Sequence, residues 1–208
     1  MDLERLSGQL RRRTPGLMDA HRSYAVLVPL IRGEEGLSLL YEVRARTLRR
    51  QPGEVCFPGG RMEVGETPET CALRETWEEL SIPSERIRVL GRLDFIAHRA
   101  NFIMYPVLGL VEGEMGDLRP SRAEVDEVFA VPLSHLLNTS PLEYEYQLIP
   151  KTGEGFPYEL IGIPQDYRWQ PGWENVPVYP WHGHAIWGLT GRITRHLVQL
   201  WKEYDDTE

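Results

Sequence analysis

Cysteine is scarce in this sequence: of 208 residues, only Cys56 and Cys71 carry a thiol. Two thiols cannot build a disulfide framework in a chain this long, and they lack the partners of a cysteine-ligated zinc site. They read as free thiols in a reducing compartment. Long apolar runs are missing too. Tyr24 to Ile31, the longest, is interrupted by Pro29 and falls far short of the roughly 20 residues that cross a bilayer as a helix. The stretch Met1 to Arg13 mixes acids and bases without the apolar segment of a secretory signal. A cytoplasmic location with no membrane partner is therefore expected. Positive charge is in deficit, with 23 Lys and Arg against 31 Asp and Glu and a net charge of −8. Such a chain repels a nucleic-acid backbone, so no nucleic-acid partner is expected. An anionic substrate would need local neutralisation by a metal ion, by placed arginines, or by both.

There is no internal repeat or low-complexity segment, and the length fits one domain over residues 1–208. Leu3, Leu6 and Leu10 predict a short amphipathic helix over Asp2 to Arg12, within a helical extension covering 1–22. Ala25 to Leu30 and Ser38 to Val43 read as strands joined by a turn from Gly33 to Gly36. Thr47 to Gly60 is a loop rich in Arg, Pro and Gly. A helix opens near Thr67 and Pro68, where Thr can cap and Pro is tolerated, and closes near Leu80 ahead of Pro83. Ile87 to Ile96 and Phe102 to Val111 suit a hairpin. Val125 to Pro132 reads as a strand running into a short helix at Leu133 to Leu137. Pro141 to Pro180 reads as irregular loops and short strands. Ile186, Leu189, Ile193, Leu197 and Leu200 predict a terminal helix over 185–203. This order indicates an α+β or mixed α/β fold.

The chemistry concentrates between Gly60 and Ile82. Glu75 and Glu79 are four apart on the expected helix, so their carboxylates share a face, with Glu78 beside them. Arg74 can hold Glu78 but cannot neutralise three acids. A solvated acidic face is one reading of this cluster; a hard divalent cation, which takes oxygen ligands and retains waters, is the other. The full spacing decides between them. It resembles the Nudix box, G-x5-E-x7-R-E-U-x-E-E-x-G-U with U a bulky apolar residue, and Gly60, Glu66, Arg74, Glu75, Glu78, Glu79 and Ile82 fall on its positions. Thr76 departs from an apolar position, and Ser81 from the glycine expected just past the helix end, where a left-handed residue is usual.

The resemblance implies a Nudix α/β/α sandwich with a mixed sheet and a loop-helix-loop box. It also implies hydrolysis of a diphosphate with Mg²⁺, or Mn²⁺ in its place. Glu75 and Glu79 would be the principal metal ligands, Glu78 an auxiliary one, and the Gly60 carbonyl a further oxygen. Arg74 would orient the carboxylates, and Glu66 would have a structural role. For the general base, Glu75 is the first candidate and Glu127, in Glu124-Val-Asp-Glu-Val-Phe129, the second.

The segment Leu40 to Gly60 resembles the signature of the coenzyme A pyrophosphatase branch, L-L-T-x-R-[SA]-x3-R-x3-G-x3-F-P-G-G. Arg44, Ala45, Arg49, Gly53 and Phe57-Pro58-Gly59-Gly60 match it, whereas Tyr41 and Glu42 stand at its L-T positions. Ile186-Trp-Gly-Leu-Thr190 is also similar to that branch. The implied substrate is coenzyme A or a thioester of it, cleaved to 3′,5′-ADP and 4′-phosphopantetheine or its acyl derivative. Arg44 and Arg49 would supply positive charge for phosphates, while Gly53, Gly59 and Gly60 would let backbone approach them. ADP-ribose, NADH or another nucleoside diphosphate derivative is the alternative. A nucleotide-binding regulator without activity fits less well, since all three box glutamates are intact. His182 and His184 read as surface-loop residues, and none of the aromatics between Tyr144 and Trp181 is assigned to the site.

Overall fold

The computed structural model describes residues 2–18, 22–33 and 36–205. In chain order its elements are α1 (Leu3–Arg12), β1 (Arg22–Gly33), β2 (Gly36–Arg44), β3 (Val55–Cys56), β4 (Gly59–Arg61), α2 (Pro68–Leu80), β5 (Ile87–Arg92), β6 (Ile96–His98) and β7 (Phe102–Val111). They are followed by β8 (Val125–Pro132), α3 (Leu133–Asn138), β9 (Leu142–Leu148), β10 (Gly172–Trp181), β11 (His184–Ile186) and α4 (Gly188–Asp205).

β1 lies in the middle of a mixed eight-stranded sheet. It runs parallel to β7 from Arg22↔Phe102 to Ile31↔Val111, and antiparallel to β2 from Leu30↔Leu39 to Gly33↔Gly36. Beyond that pairing β1 and β2 diverge. The gap is taken by β4, which pairs with β1 at Tyr24 to Val26, and by β3, which pairs with β2 at Glu42 and Val43. β8 covers the other edge of β2, and β5 and β6 pair with β7. Residues Ala25 to Ile31 are all buried, as expected of a strand with neighbours on both edges and cover on both faces.

Alternation along β1 divides the core. Ala25, Leu27 and Ile31 join Leu40 and Val107 beneath Cys71, Ala72 and Leu80 of α2. Val26, Val28 and Leu30 join Leu39 and Tyr41 beneath Leu133 and Leu136 of α3 and Ile193 and Leu197 of α4. Each buried aliphatic side chain of this kind contributes about 1.5–3 kcal/mol. The result is a mixed sheet with helices on both faces, an α/β/α sandwich. A buried Tyr41–Thr194 hydroxyl pair, 2.9 Å apart, locates α4 over β2.

Two expectations are corrected. α1 forms as expected and buries none of its residues; Leu3, Leu6 and Leu10 all face solvent. Pro141 to Pro180 is more regular than its composition suggests: β9 and β10 pair over seven residues and, with β11, make a second, antiparallel sheet. α4 begins at Gly188 rather than 185, because Ala185 and Ile186 belong to β11, which pairs with β10 across a turn at His182 and Gly183. Both turn residues have positive φ, 43° and 90°. Of the expected Gly33–Gly36 turn, Glu34 and Glu35 lie outside the described residues, as do residue 1 and residues 19–21 of the amino-terminal extension.

α2 has the expected ends. Thr67 caps it in a reciprocal arrangement with Thr70, Pro68 occupies the first turn, and Ser81 is left-handed at φ 54°, ψ 33°. A non-glycine residue in that conformation costs about 1–2 kcal/mol. Ser81→Gly should therefore raise stability by about 1 kcal/mol, a Tm increase of about 2–4 °C for a chain of this size, measured by thermal denaturation.

Candidate active site

α2 lies with one side against β4, and two glycines decide how close it comes. A Cβ on Gly60 would stand 2.3 Å from the Glu75 carboxylate, and one on Gly59 would stand 2.4 Å from the Ala25 carbonyl oxygen. Only glycine leaves room for both contacts. Glu79, 5% exposed, accepts the backbone N–H of Gly59 through Oε2 at 2.8 Å. Glu75, one turn earlier, rests on Gly60. The helix thus presents both carboxylates to the Gly59-Gly60 backbone.

Arg74 fixes this arrangement from the flank. Its Nε and Nη2 donate to the two oxygens of Glu66 at 2.8 and 3.1 Å, and its Nη1 donates to Glu75 at 2.8 Å. The guanidinium holds the Glu66 carboxyl down at about 2. Glu66 is therefore the anchor that orients Arg74, which in turn orients Glu75. Glu78 stands outward, with half its side chain exposed and only a long 3.4 Å contact to Arg74.

The acids on this face have little compensation. Burial, then the Glu78 and Glu124 charges, push the Glu75 carboxyl up against the pull of Arg74. Glu79 is pushed up further by burial and by Glu42, against the Gly59 N–H. Glu42, buried in β2, is raised by its own burial. From the segment Glu124 to Phe129, it is Glu124 whose charge reaches Glu75 and Glu79. Glu127 is not brought to them. It pairs with Val43 in the β2–β8 ladder, shares a face with Phe129 and Val131, and contacts His184 at 3.3 Å on the α4 side of the sheet. Alternation along β8 is the reason.

A cleft of about 680 Å³ opens on Gly59 and Gly60. Arg44, the last residue of β2, and Arg50 of the 45–54 loop line it, joined by Arg22, Arg99 and Arg192, against Glu54 and Glu174. Arg44 donates to the Arg50 carbonyl at 3.4 Å, which ties the loop back to the end of β2. Arg49 is exposed and lines neither this cleft nor the smaller cavity beside it, whereas its neighbour Arg50 lines the cleft. Gly53, with φ 74°, donates its N–H to the Arg44 carbonyl at 3.0 Å and lines the smaller cavity, with Arg46, Glu127 and His184. It shapes the turn and is not part of the main cleft.

Sequence reasoning missed the far wall. Tyr146 of β9, Glu174 of β10 and Arg192 of α4 meet Arg99 there: Glu174 accepts from Tyr146 at 2.8 Å and from Arg192 at 3.2 Å, and also pairs with Arg99. One signal was available. Leu142-Glu-Tyr-Glu-Tyr-Gln-Leu148 alternates with period two, a strand pattern. Nothing local in the sequence ties β9 to Arg99.

A NUDIX domain model matches residues 21–151. The chain belongs to the Nudix hydrolase family. Nudix hydrolase 3 of Caenorhabditis elegans is 36% identical over 187 residues, 88% of this chain and 74% of that protein. The uncharacterized Nudix hydrolase NudL of Photorhabdus laumondii is 34% identical, over 88% of this chain and 87% of its own length. The mitochondrial coenzyme A diphosphatase NUDT8 of mouse is 35% identical, over 96% and 87%. The molecule is thus a Nudix pyrophosphohydrolase, and the Gly59-Gly60, Arg74, Glu75, Glu79 group is its box.

The charge balance of this hydrolase sets its response to pH. Glu42 and Glu79 have folded-state values above the ordinary 4.5, so they bind protons on folding. Their contribution to stability is full below that value and is lost as pH rises through the raised range. Chelator-treated enzyme should lose Tm as pH climbs above about 4.5. Glu79→Gln should show a shallower decline and a higher Tm at pH 8, read by calorimetry.

Proposed function

We propose that this Nudix hydrolase cleaves the diphosphate of coenzyme A or an acyl-coenzyme A, with Mg²⁺ at the box glutamates and Mn²⁺ able to replace it. The observation that carries the reading is the arginine-lined cleft opening on Gly59-Gly60, with Arg44 and Arg50 in its lining. A diphosphate laid on that backbone meets Arg44 and Arg50, whose guanidinium groups pair well with phosphate oxygens. The additional cations of the same cleft suit a substrate with a third phosphate better than one with two. The likeness to a mitochondrial coenzyme A diphosphatase supports the same choice.

The donor set fits a hard cation. Glu75 and Glu79 are oxygen ligands held short of neutralisation, and the buried Glu42 Oε2 has no hydrogen-bond partner. Among the described residues no three of His, Cys, Asp and Glu converge on one point. Side chains alone do not complete a coordination sphere, and magnesium suits such an open site because it keeps waters and takes substrate phosphates. Glu75 and Glu79 would hold it, with the Gly60 carbonyl as a further oxygen and Glu78 turning inward as the auxiliary ligand. When bound, the ion offsets diphosphate charge and favours attack by water.

The chain's own residues do the rest. Gly59 and Gly60 admit the substrate to the carboxylates without a side chain between. Arg74, anchored by Glu66, keeps Glu75 aimed at Gly60, where a carboxylate of raised proton affinity can take the proton of the attacking water. Glu124, whose charge bears on Glu75 and Glu79, is the second candidate acceptor. Burial around Glu79 keeps competing solvent away.

A screen of coenzyme A, dephospho-coenzyme A, ADP-ribose and NADH with Mg²⁺, products resolved by mass, tests the substrate. Loss of one charge-assisted phosphate contact is worth roughly tenfold or more, so kcat/KM should fall by that factor from coenzyme A to dephospho-coenzyme A. Equal values would reject the coenzyme A assignment. Arg44→Ala should raise KM for coenzyme A about tenfold with a smaller change in kcat. Glu79→Gln should abolish turnover while circular dichroism stays unchanged; retained turnover would refute its role as ligand.

A further inference from the structure

Glu42 has been assigned no ligand or catalytic role above, yet it is among the most enclosed of the described side chains. It is 1% exposed in the middle of β2, and its Oε2 has no hydrogen-bond partner. Its Oε1 accepts only the thiol of Cys56, at 3.2 Å, across the β2–β3 pairing. A thiol is a weak donor and leaves such a carboxylate largely uncompensated.

Direction matters as much as burial. Glu42 alternates with Tyr41 and Val43, which face α3 and α4, and shares the side of Leu40, which faces α2. Cys56, directly opposite in β3, points the same way between Val55 and Phe57. On that side Glu79 descends from α2 to the Gly59 N–H, leaving its Oε1 free of any hydrogen bond among the described residues. Two enclosed acids thus lie on the same side of the sheet, one on a strand and one on a helix, and the charge of Glu42 helps to raise the Glu79 carboxyl. The basic group that Glu42 feels is Arg44, two residues along the strand. Buried charges persist when they are paired or coordinate a metal.

We propose that Glu42 is a further carboxylate of the cation site, sharing a divalent ion with Glu79 so that strand β2 as well as helix α2 supplies a ligand. This rests on the metal reading given under Proposed function. It gives a purpose to the departure at Glu42, where the coenzyme A pyrophosphatase signature has threonine: a hydroxyl is exchanged for a charged ligand. Ligand charge tunes cation affinity, so this enzyme should hold its ion more tightly than a threonine version of itself.

Mn²⁺ titration of the full-length protein, following the free-ion signal by electron paramagnetic resonance with Mg²⁺ as competitor, tests the assignment. Glu42→Gln and Glu42→Thr should each weaken Mn²⁺ binding about tenfold or more. The Tm of chelator-treated Glu42→Gln should exceed that of the wild type, and its gain in Tm on adding Mn²⁺ should shrink. Gln copies the shape of a protonated acid, so a merely structural carboxyl would leave the Mn²⁺ Kd unchanged. An unchanged Kd in Glu42→Gln overturns the proposal and leaves the metal reading standing, since the wild type still binds. A wild type that binds no Mn²⁺ overturns both. Should Glu42→Gln fail to fold, Glu42→Thr carries the same comparison.

Discussion

The contact on which the site depends is the close seating of α2 against the Gly59-Gly60 backbone. It brings Glu79 to the Gly59 N–H at 2.8 Å and sets Glu75 where a Gly60 side chain would otherwise stand. Seating two acids there buries Glu79 and half-buries Glu75, and of the two only Glu75 is paired with Arg74. The fold tolerates this because the same helix buries Cys71, Ala72 and Leu80 against the sheet, an apolar contact strong enough to hold the acids in place. In the metal reading proposed above, the unfavourable electrostatics would serve the function: a site that is comfortable when empty would gain less from a cation.

Arg74 shows how such a site keeps its geometry. A lone arginine between acids would swing toward whichever is closest. Glu66 prevents that by taking two of its nitrogens, leaving Nη1 for Glu75. Glu66 does no chemistry in this scheme, yet its box position is explained by the fork it fixes.

Legibility in the sequence followed the range of the interactions. α2 could be read to the residue at its capped start, since Thr67, Pro68 and Leu80 carry local signals. The left-handed Ser81 was equally legible from its place past the helix end. β1, β2, β7 and β8 were found from branched and aromatic runs. What failed was relational. Glu127 and Glu124 look equivalent in sequence, and only the register of β8 on β2 sends Glu127 to the α4 face. Arg49 and Arg50 are neighbours, and the Arg44–Arg50 loop contact decides which of them faces the cleft. The cleft's far wall joins Tyr146 of β9 and Glu174 of β10 to Arg99 across 47 and 75 residues, and Arg192 of α4 through Glu174, links that no local pattern encodes.

The matched domain ends at residue 151, while Glu174, Trp187 and Arg192 of the cleft come after it. The cleft is thereby walled from two lengths of chain, with Arg44 and Arg50 inside the matched domain and β10 and α4 beyond it. Changes in β10 or the first turns of α4 can reshape the cleft without touching the box carboxylates. The carboxyl-terminal stretch is therefore one part in which the cleft can diverge while the box is kept.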